Sequence, residues 1–296
     1  MKTRRRIIAI VGPTASGKTN WGVPIAKKFN GEIISADSRQ VYRGLDIGTS
    51  KDIGEYGDVK YHLIDIKNPG EEFTLFDWLE RVRVTIEEIF SRGKTPIIVG
   101  GTGLYIQALT EGFELEVTSN KSQVTKYSRL ELEKKSLKQL QNIFLKLDTC
   151  NLKPDINNPY RLIRSIEREQ SGEIITKKEP DFEVLQIAID RPREELYQRI
   201  DHGVEEWFKE GFTEEVKGLL DTGVDPKWLE KIGLEYRILT KYIIENQTDF
   251  EDMKQKMKFA IHAYARMQLT WFRRFPEIVW CFDIESAEKE IKKFLK

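Results

Sequence analysis

The stretch Gly12-Pro13-Thr14-Ala15-Ser16-Gly17-Lys18-Thr19 fits the pattern G-x-x-x-x-G-K-[ST] of a phosphate-binding P-loop. An apolar run, Ile7 to Val11, precedes it and predicts a buried strand, and a helical pattern follows Thr19. In this order, backbone N–H groups and a helix N-terminus can surround an anion. Lys18 adds a mobile positive charge, and the Thr19 hydroxyl can ligate Mg²⁺ held on the phosphates. All eight residues are therefore predicted to bind a diphosphate or a triphosphate, such as that of ATP, with Thr19 as the metal ligand.

The composition is that of a globular protein with an ordinary core. Of the 296 residues, 40% are hydrophobic, and the two cysteines, Cys150 and Cys281, form no C-x-x-C pair. This argues against a disulfide framework or a zinc module and indicates a reducing compartment. The basic start is followed by an apolar run too short for a signal peptide, and no segment is long enough to span a membrane. We expect a cytoplasmic protein with no membrane partner.

Charge is unevenly distributed although the net charge is zero. Residues Asn120 to Lys178 contain 13 Lys or Arg against 7 Asp or Glu, and Met253 to Phe275 contains six Lys or Arg and no acid. Such asymmetry is consistent with a polyanionic partner, and a solvated helix face explains it equally well.

Repeated strand–helix units predict an α/β fold, with a P-loop NTPase-like parallel sheet flanked by helices and a helical insertion domain. Helices are expected over 18–29, 75–90, 193–210, 213–220, 229–244 and 250–272. Further strands are expected at 31–37, 61–66, 96–99, 182–190 and 279–282. Between residues 120 and 170 the pattern is polar, basic and mostly helical. We therefore place the first part of the core at 1–115, the insertion at 116–180 and the second part of the core at 181–296.

Asp37 stands at the C-terminal end of the predicted strand over Gly31 to Asp37. In open α/β sheets ligands bind at the carboxyl ends of strands, so Asp37 and the P-loop should share one edge of the sheet. The aspartate that helps bind magnesium in many P-loop NTPases has only a weak counterpart here, Asp65. This departs from an enzyme that hydrolyses ATP or GTP and suits a protein that holds a diphosphate as a leaving group.

Three motifs in combination resemble the tRNA dimethylallyltransferases, also called tRNA isopentenyltransferases. They are GPTASGKT, ISADSRQVYRGLDIGTSK (Ile34 to Lys51) and GGTGLYIQAL (Gly100 to Leu109). Weaker similarities occur in NNPYRLIRSIE (Asn157 to Glu167), GLEYR (Gly233 to Arg237) and ARMQLTWFRRF (Ala265 to Phe275). The resemblance covers nearly the whole chain.

The resemblance implies transfer of a dimethylallyl group from dimethylallyl diphosphate to N6 of adenosine 37, beside the tRNA anticodon. Asp37 is then the base that takes the proton from N6, and Thr102 donates a hydrogen bond to the diphosphate. The alternatives are a helix cap or a magnesium-associated carboxylate for Asp37, and a simple turn residue for Thr102. Mg²⁺ is the expected cofactor.

The tRNA partner would be held at its anticodon stem-loop. By the same resemblance, Asp37, Ser38, Arg39 and Gln40 contact the flipped base and its neighbours. In the insertion, Tyr160, Arg161 and Arg164 match an anticodon-contacting segment. Lys254, Lys258, His262 and Arg266 recur every four residues and form a stripe that can track phosphates. A solvated face remains the alternative for the stripe, as does a structural role for His262. A monomer is expected.

Other function classes remain open at this point. One is a kinase or an isopentenyltransferase acting on a free adenine nucleotide, which would not need the basic segments. Another is an RNA-binding protein that has lost turnover. Two departures from the family pattern bear on whether the protein is active. Gly203 stands where the family usually has an arginine directed at the diphosphate. The family's arginine near the start of the insertion has only Lys126 and Arg129 as candidate counterparts.

Replacing Gly203 with arginine is expected to raise the transfer rate, because the new guanidinium would stabilise the diphosphate as it leaves. The measurement is the single-turnover rate of Gly203→Arg beside the unaltered protein. An unchanged or lower rate would contradict the alignment at residue 203.

Overall fold

The computed structural model describes residues 5–51, 53–117, 127–145, 155–245 and 249–296. Within these ranges the strands are β1 (Arg5–Val11), β2 (Gly31–Ser35), β3 (Tyr61–His62), β4 (Thr95–Gly100), β5 (Phe113–Val117), β6 (Glu173–Lys177), β7 (Phe182–Ile189) and β8 (Val279–Cys281). The helices are α1 (Lys18–Lys28), α2 (Leu75–Ser91), α3 (Gly103–Thr110), α4 (Arg129–Glu133), α5 (Leu137–Leu145), α6 (Pro159–Ser171), α7 (Arg193–Glu210), α8 (Phe212–Asp221), α9 (Pro226–Ile232), α10 (Leu234–Glu245), α11 (Phe250–Phe272) and α12 (Ile284–Leu295). A short 3₁₀ helix covers Ile53–Tyr56.

The main sheet has six strands in the order β3-β2-β4-β1-β7-β8, and every neighbouring pair is parallel. Strand β1 lies in the middle, with Ile8 opposite Ile97 of β4 and Leu185 of β7. Central parallel strands are covered on both faces, which explains their nearly continuous apolar sequences. The predicted α/β fold with a parallel central sheet is confirmed.

Two compact units divide the chain. One contains the residues up to 110 and those from 180 onwards, and the other contains 111–179. In the first unit, one hydrophobic cluster packs α1 and α12 against the sheet, with Ile8, Ile25 and Ile291 at its centre. A second cluster joins helices α7 to α11 to the loop at Val41–Leu45, with Phe212 and Tyr236 fully buried.

The second unit combines helices with a β-ribbon that was not predicted. Strands β5 and β6 pair antiparallel, with Leu115 opposite Ile175. Both strands are short, carry several charged residues and are far apart in sequence, so local patterns do not reveal their pairing. Helices α4, α5 and α6 enclose a small core of their own, built on Leu132, Leu140 and Leu162.

Two other predicted elements differ from the structure. The helix expected over 229–244 is two helices, because Gly233 is extended (φ −164°, ψ 160°) and separates α9 from α10. The strand expected over 61–66 ends at His62, since Leu63 and Asp65 adopt positive φ angles of 62° and 55°. Residues with such backbone angles cannot continue a ladder.

The structure bears on the expectations about cysteines and membrane spans only within the described residues. Cys281 is a buried free thiol, whereas Cys150 lies outside the described residues, as does Lys126. In the part of the chain that the structure describes, every helix is too short or too polar to cross a bilayer.

Buried Glu32, at the start of β2, ties together three neighbouring basic groups. Its carboxylate lies 2.7 Å from Nε2 of His62, 2.8 Å from Nη2 of Arg92 and 3.4 Å from Nζ of Lys94. Burial opposes ionisation, but the hydrogen bonds from Arg92 and His62 outweigh it and lower the pKa of Glu32 to about 2. The carboxylate is therefore ionised in the folded chain over nearly the whole accessible pH range.

A folded-state pKa below the unfolded value means that Glu32 stabilises the fold above pH ~4.5 and that this contribution disappears as pH falls towards 2. The shift corresponds to roughly 3 kcal/mol. We expect the free energy of unfolding of Glu32→Gln to change less than that of the unaltered protein between pH 6 and pH 3. Urea denaturation at several pH values measures this, and parallel curves for the two proteins would contradict it.

The glycines of the loop after β4 are required by close packing against α11. A Cβ at Gly103 would lie 2.3 Å from Cδ1 of Trp271. At Gly203, by contrast, an added Cβ would meet no atom within 4 Å.

Gly103→Ala is expected to lower the free energy of unfolding by about 2 kcal/mol, because the methyl group overlaps the indole ring. Gly203→Ala is the matched control and should raise it by up to ~1 kcal/mol, since alanine is the better helix former at an open site. Equal effects of the two substitutions in urea denaturation would show that the contact with Trp271 does not matter.

Candidate active site

The P-loop connects β1 to α1 with the backbone that its glycines allow. Gly12 and Gly17 have φ angles of 152° and 88°, and Ala15 between them has 60°. Nζ of Lys18 donates to the carbonyl of Pro13 at 2.8 Å, beneath the loop. Burial lowers the pKa of Lys18 to about 8, although the nearby Asp37 carboxylate opposes the shift. The loop thus has the curled form that surrounds an anion.

A cavity of about 550 Å³ opens above this loop. Its wall includes Thr14, Ala15, Gly17, Lys18 and Thr19 of the P-loop, Asp37, Arg39 and Gln40 after β2, Gly101 after β4, and Arg199, Gly203 and Trp207 of α7. The expectation that Asp37 and the P-loop share one edge of the sheet is confirmed. The cavity is the principal candidate for the active site.

Strand order explains this convergence. Strand β4 lies between β1 and β2, so the loop after β4 lies between the P-loop and Asp37. A Cβ at Gly100 would be only 2.2 Å from the carbonyl oxygen of Ala36, which explains the glycine. The backbone N–H of Thr102 donates to Ala36, and Oγ1 of Thr102 accepts from the N–H of Ser38 at 3.2 Å. Thr102 therefore joins two of the loops, and within the described residues its hydroxyl hydrogen has no acceptor.

Asp37 is held by its own loop. Its Oδ1 accepts the backbone N–H groups of Arg39 at 2.9 Å and Gln40 at 3.4 Å. Within the described ranges, Oδ2 of Asp37 accepts no hydrogen bond. The carboxylate is thus fixed through one oxygen, and the other is available at the cavity.

Two of the residues predicted to contact the flipped base are bonded within the protein. Nη1 of Arg39 donates to the buried Glu235 at 2.6 Å. The amide of Gln40 accepts from the hydroxyl of Ser35 and donates to the carbonyl of Thr49. Both side chains hold the site together, and their contact with RNA stays a prediction.

Gln268 of α11 joins the P-loop to the loop after β4. Its Oε1 accepts from the N–H of Thr14 at 2.8 Å, and its Nε2 donates to the carbonyl of Gly101 at 3.0 Å. Sequence reasoning missed this residue, because a glutamine in the middle of a helix carries no signal of a partner more than two hundred positions away.

Two arginines support the P-loop from the side of α7. Nε of Arg191 donates to the carbonyl of Ser16 at 2.7 Å, and Nε of Arg199 donates to that of Ala15 at 2.8 Å. Gly203, one turn beyond Arg199, lines the cavity without a side chain. Arg199, rather than a residue at 203, is the arginine that α7 presents to the P-loop.

A buried lysine and a glutamate order the loop over 42–51, which forms another wall of the cavity. Nζ of Lys51 contacts Asp46 at 2.7 Å and Asp65 at 2.6 Å. Glu215 of α8 accepts the N–H groups of Asp46 and Ile47. Asp65, the weak candidate for a magnesium-binding aspartate, is thus the partner of Lys51.

The two lysines of the basic stripe on α11 are paired with one carboxylate of α7. Nζ of Lys258 lies 2.6 Å and Nζ of Lys254 lies 2.9 Å from the carboxylate of Glu205. Their hydrogen bonds lower the pKa of Glu205 to about 2. Both lysines therefore join two helices. Neither a solvated face nor a surface that tracks phosphates describes Lys254, which is buried.

His262 and Arg266 also face α7. Nε2 of His262 lies 2.8 Å from Oδ1 of Asp201, and its ring stacks on Tyr197 with centroids 4.0 Å apart. Nη1 of Arg266 donates to the hydroxyl of the same tyrosine at 2.7 Å. The predicted contact of these residues with tRNA is not tested by these contacts.

In the second unit the predicted anticodon-contacting residues lie on α6. Asn158 caps this helix by accepting the N–H of Arg161, and Tyr160 is 66% exposed. Arg164 donates to Glu173 at 3.0 Å. The exposed Tyr160 ring is a surface on which a base can stack.

The candidate insertion arginine at 129 is also paired. Arg129 contacts Glu133 at 3.2 Å and Glu167 at 3.1 Å, which fastens α4 to α6. This arrangement explains Arg129 without a ligand.

The donor set fits a magnesium ion carried on a diphosphate. Within the described residues, no group of three or more His, Cys, Asp or Glu side chains could hold a metal ion. Mg²⁺ in phosphate sites takes most of its ligands from phosphate oxygens and water and needs few from the protein. The Thr19 hydroxyl at the cavity wall is the protein group that would contribute a ligand to such an ion.

Comparison with known proteins agrees with this geometry. The family model described as IPP transferase matches residues 40–275. The tRNA dimethylallyltransferase 2 of Shewanella sediminis is 44% identical over 272 residues, covering 90% of this chain and 89% of that protein. The tRNA dimethylallyltransferase of Streptococcus pneumoniae is 40% identical over 291 residues, which cover 98% of this chain and 96% of that protein.

Solved structures show the same likeness. The tRNA isopentenylpyrophosphate transferase of Bacillus halodurans aligns with a TM-score of 0.71 and 34% identity, covering 99% of this chain and 96% of that one. A eukaryotic dimethylallyltransferase described as acting on tRNA aligns with a TM-score of 0.71 and 25% identity, covering 95% of this chain and 75% of that one. Since the family model spans most of the chain and the relatives match it nearly end to end, this chain belongs to the IPP transferase family.

Proposed function

We propose that this protein transfers a dimethylallyl group from dimethylallyl diphosphate to N6 of adenosine 37 in tRNA. The observation that carries the proposal is the single cavity that joins the P-loop to Asp37. One side can hold a diphosphate, and the other offers a carboxylate oxygen that accepts no hydrogen bond from the described protein. The names of the relatives agree with this reaction.

The exocyclic amine of adenine is a poor nucleophile, so its proton must leave as the new bond forms. N6 attacks C1 of the dimethylallyl group, the C–N bond forms, and the C–O bond to the diphosphate breaks. Oδ2 of Asp37 takes the proton from N6, while Oδ1 remains bonded to the loop and keeps the carboxylate in place. The balanced products are N6-dimethylallyladenosine and diphosphate.

Charge builds on the leaving diphosphate during this step. The N–H groups of the P-loop and Lys18 stabilise that charge, and preorganised donors of this kind contribute strongly to catalysis. The Thr19 hydroxyl would help to hold a magnesium ion, which supplies further neutralisation of the diphosphate when bound. The hydroxyl hydrogen of Thr102 is available to a diphosphate oxygen.

The acceptor adenosine must leave the anticodon stack to reach Asp37. The cavity of about 550 Å³ has the size of a small-molecule site, which suits one base and a five-carbon donor. Exposed Tyr160 and the basic surplus of residues 120–178 are the features we assign to the anticodon stem-loop. Because a free nucleotide needs neither, they favour tRNA over AMP as the acceptor.

The direct test is to incubate the protein with Mg²⁺, dimethylallyl diphosphate and unmodified tRNA carrying adenosines at 36 and 37. The tRNA is then digested and analysed by mass spectrometry for N6-dimethylallyladenosine, with AMP as a parallel acceptor. We expect product in tRNA alone. Product only on AMP would make the protein a free-nucleotide isopentenyltransferase, and bound tRNA without product would make it an RNA-binding protein.

Asp37→Asn tests the assigned base, because the amide oxygen still accepts the loop N–H groups while the basic oxygen is lost. We expect the rate of transfer to fall by roughly 10²- to 10⁴-fold with tRNA affinity retained. Single-turnover kinetics and a filter-binding assay measure the two quantities. A rate within a few-fold of the unaltered protein would exclude Asp37 as the base.

A further inference from the structure

One guanidinium lies between two carboxylates at the candidate active site. Nη1 of Arg39 is 2.6 Å from Oε2 of Glu235, whereas its Nε is 3.7 Å from Oδ1 of Asp37. Arg39 therefore makes a direct hydrogen bond to Glu235 and only a longer electrostatic contact with the presumed base. Neither the motif pattern nor the relatives' names assign a task to Glu235.

The pair is buried, so its charges act strongly on one another. The side chains of Arg39 and Glu235 are 14% and 2% exposed. Burial would lower the pKa of Arg39, but Glu235 and Asp37 outweigh it and raise that pKa above its usual value. Arg39 is thus a permanent cation that must be balanced by a carboxylate.

The backbone provides space for this pair. Gly233 is extended, and a Cβ there would lie 3.1 Å from Cδ of Arg39 and 3.2 Å from Oε2 of Glu235. The break between α9 and α10 thus brings Glu235 to the loop after β2. In the GLEYR segment, Gly233 leaves space for the contact with Arg39, and Glu235 makes that contact.

We infer that Glu235 is a positioning residue for the transfer reaction: it binds the Arg39 guanidinium and so keeps it from pairing with Asp37, whose Oδ2 stays free to accept the proton. The inference rests on the proposed function. It adds a residue that touches neither substrate and acts through Arg39.

The physical reason is competition for one cation. Arginine and a carboxylate form short, strong, often bidentate pairs when no other partner is present. Without the charge of Glu235, Arg39 would turn to Asp37, donate to the oxygen that must accept a proton, and weaken that oxygen as a base. Glu235 removes this competitor at the cost of burying an ion pair.

Other ionisable groups face the same site from neighbouring elements. Lys18 of α1, Tyr105 of α3, Tyr264 of α11 and Tyr56 of the 3₁₀ helix all interact electrostatically with Asp37. Burial raises the pKa of each of the three tyrosines, so they stay neutral at physiological pH. Of the groups named here, Arg39 and Lys18 are the cations, and Arg39 is the one that Glu235 binds.

The experiment compares Glu235→Gln with Glu32→Gln in steady-state kinetics on tRNA. Both glutamates are buried and paired with an arginine, but Glu32 lies at the opposite end of β2 from Asp37. Glu235→Gln is expected to lower kcat by about tenfold or more, with the KM of both substrates within twofold, because a positioned base contributes 10²- to 10⁴-fold. The acidic limb of its rate–pH profile should move to lower pH. Glu32→Gln should lower stability and change neither kcat nor the profile.

A double variant, Arg39→Gln with Glu235→Gln, separates this role from a merely structural one. It removes both buried charges, so it should fold even where the single variant does not, since an unpaired buried charge is the larger penalty. With no guanidinium to compete, kcat should exceed that of Glu235→Gln by about threefold or more, whereas a contact of Arg39 with the flipped adenine would appear as a higher KM for tRNA.

Three results would overturn the inference while the unaltered protein remains active: an unchanged kcat in Glu235→Gln, a lower kcat without a shift of the rate–pH profile, or a double variant as slow as the single one. Absence of product from the unaltered protein would instead reject the proposed function, and the inference with it.

Discussion

The parallel pairing of β2, β4 and β1 is the constraint on which the rest of the site depends. Parallel neighbours end at the same edge, so three loops that are separated along the chain emerge side by side. The middle loop must approach both others closely, and its glycines leave room for the carbonyl of Ala36 and for α11. A phosphate-binding loop and a carboxylate are thereby placed at opposite walls of one cavity.

Much of the charge around this cavity is used within the protein. Arg39 binds Glu235, Lys51 binds Asp46 and Asp65, and Glu205 joins Lys254 and Lys258. These pairs fix loops and helices that would otherwise sample many conformations, and an active site needs such fixed groups. Lys254, Lys258 and His262 of the basic stripe on α11 therefore lie against carboxylates of α7. The charge of one segment is thus a poor guide to the charge of the surface it forms.

The unmatched groups are correspondingly informative. Within the described residues, Oδ2 of Asp37 accepts no hydrogen bond and the Thr102 hydroxyl hydrogen has no acceptor, and Gly203 leaves an opening on α7. Perturbed and incompletely satisfied groups tend to collect at functional sites, because the substrate completes their bonding. Asp37 and Gly203 lie at the wall of the cavity, and Thr102 follows Gly101 of that wall along the chain.

The sequence by itself determined the parts of this protein that depend on local chemistry. Glycine placement and hydrophobic period predict the P-loop, the strand before it and the bounds of α7 and α11, since neighbours in sequence decide them. They also predict the parallel sheet and the position of Asp37 at its edge. Only the tertiary structure decided which distant groups meet. Glu235 binds Arg39, Gln268 binds the P-loop, and Glu205 binds the lysines of α11. Strand β5 likewise pairs with the distant β6. Those partners are brought together by chain folding over long separations, and a single sequence carries no local pattern for contacts of that kind.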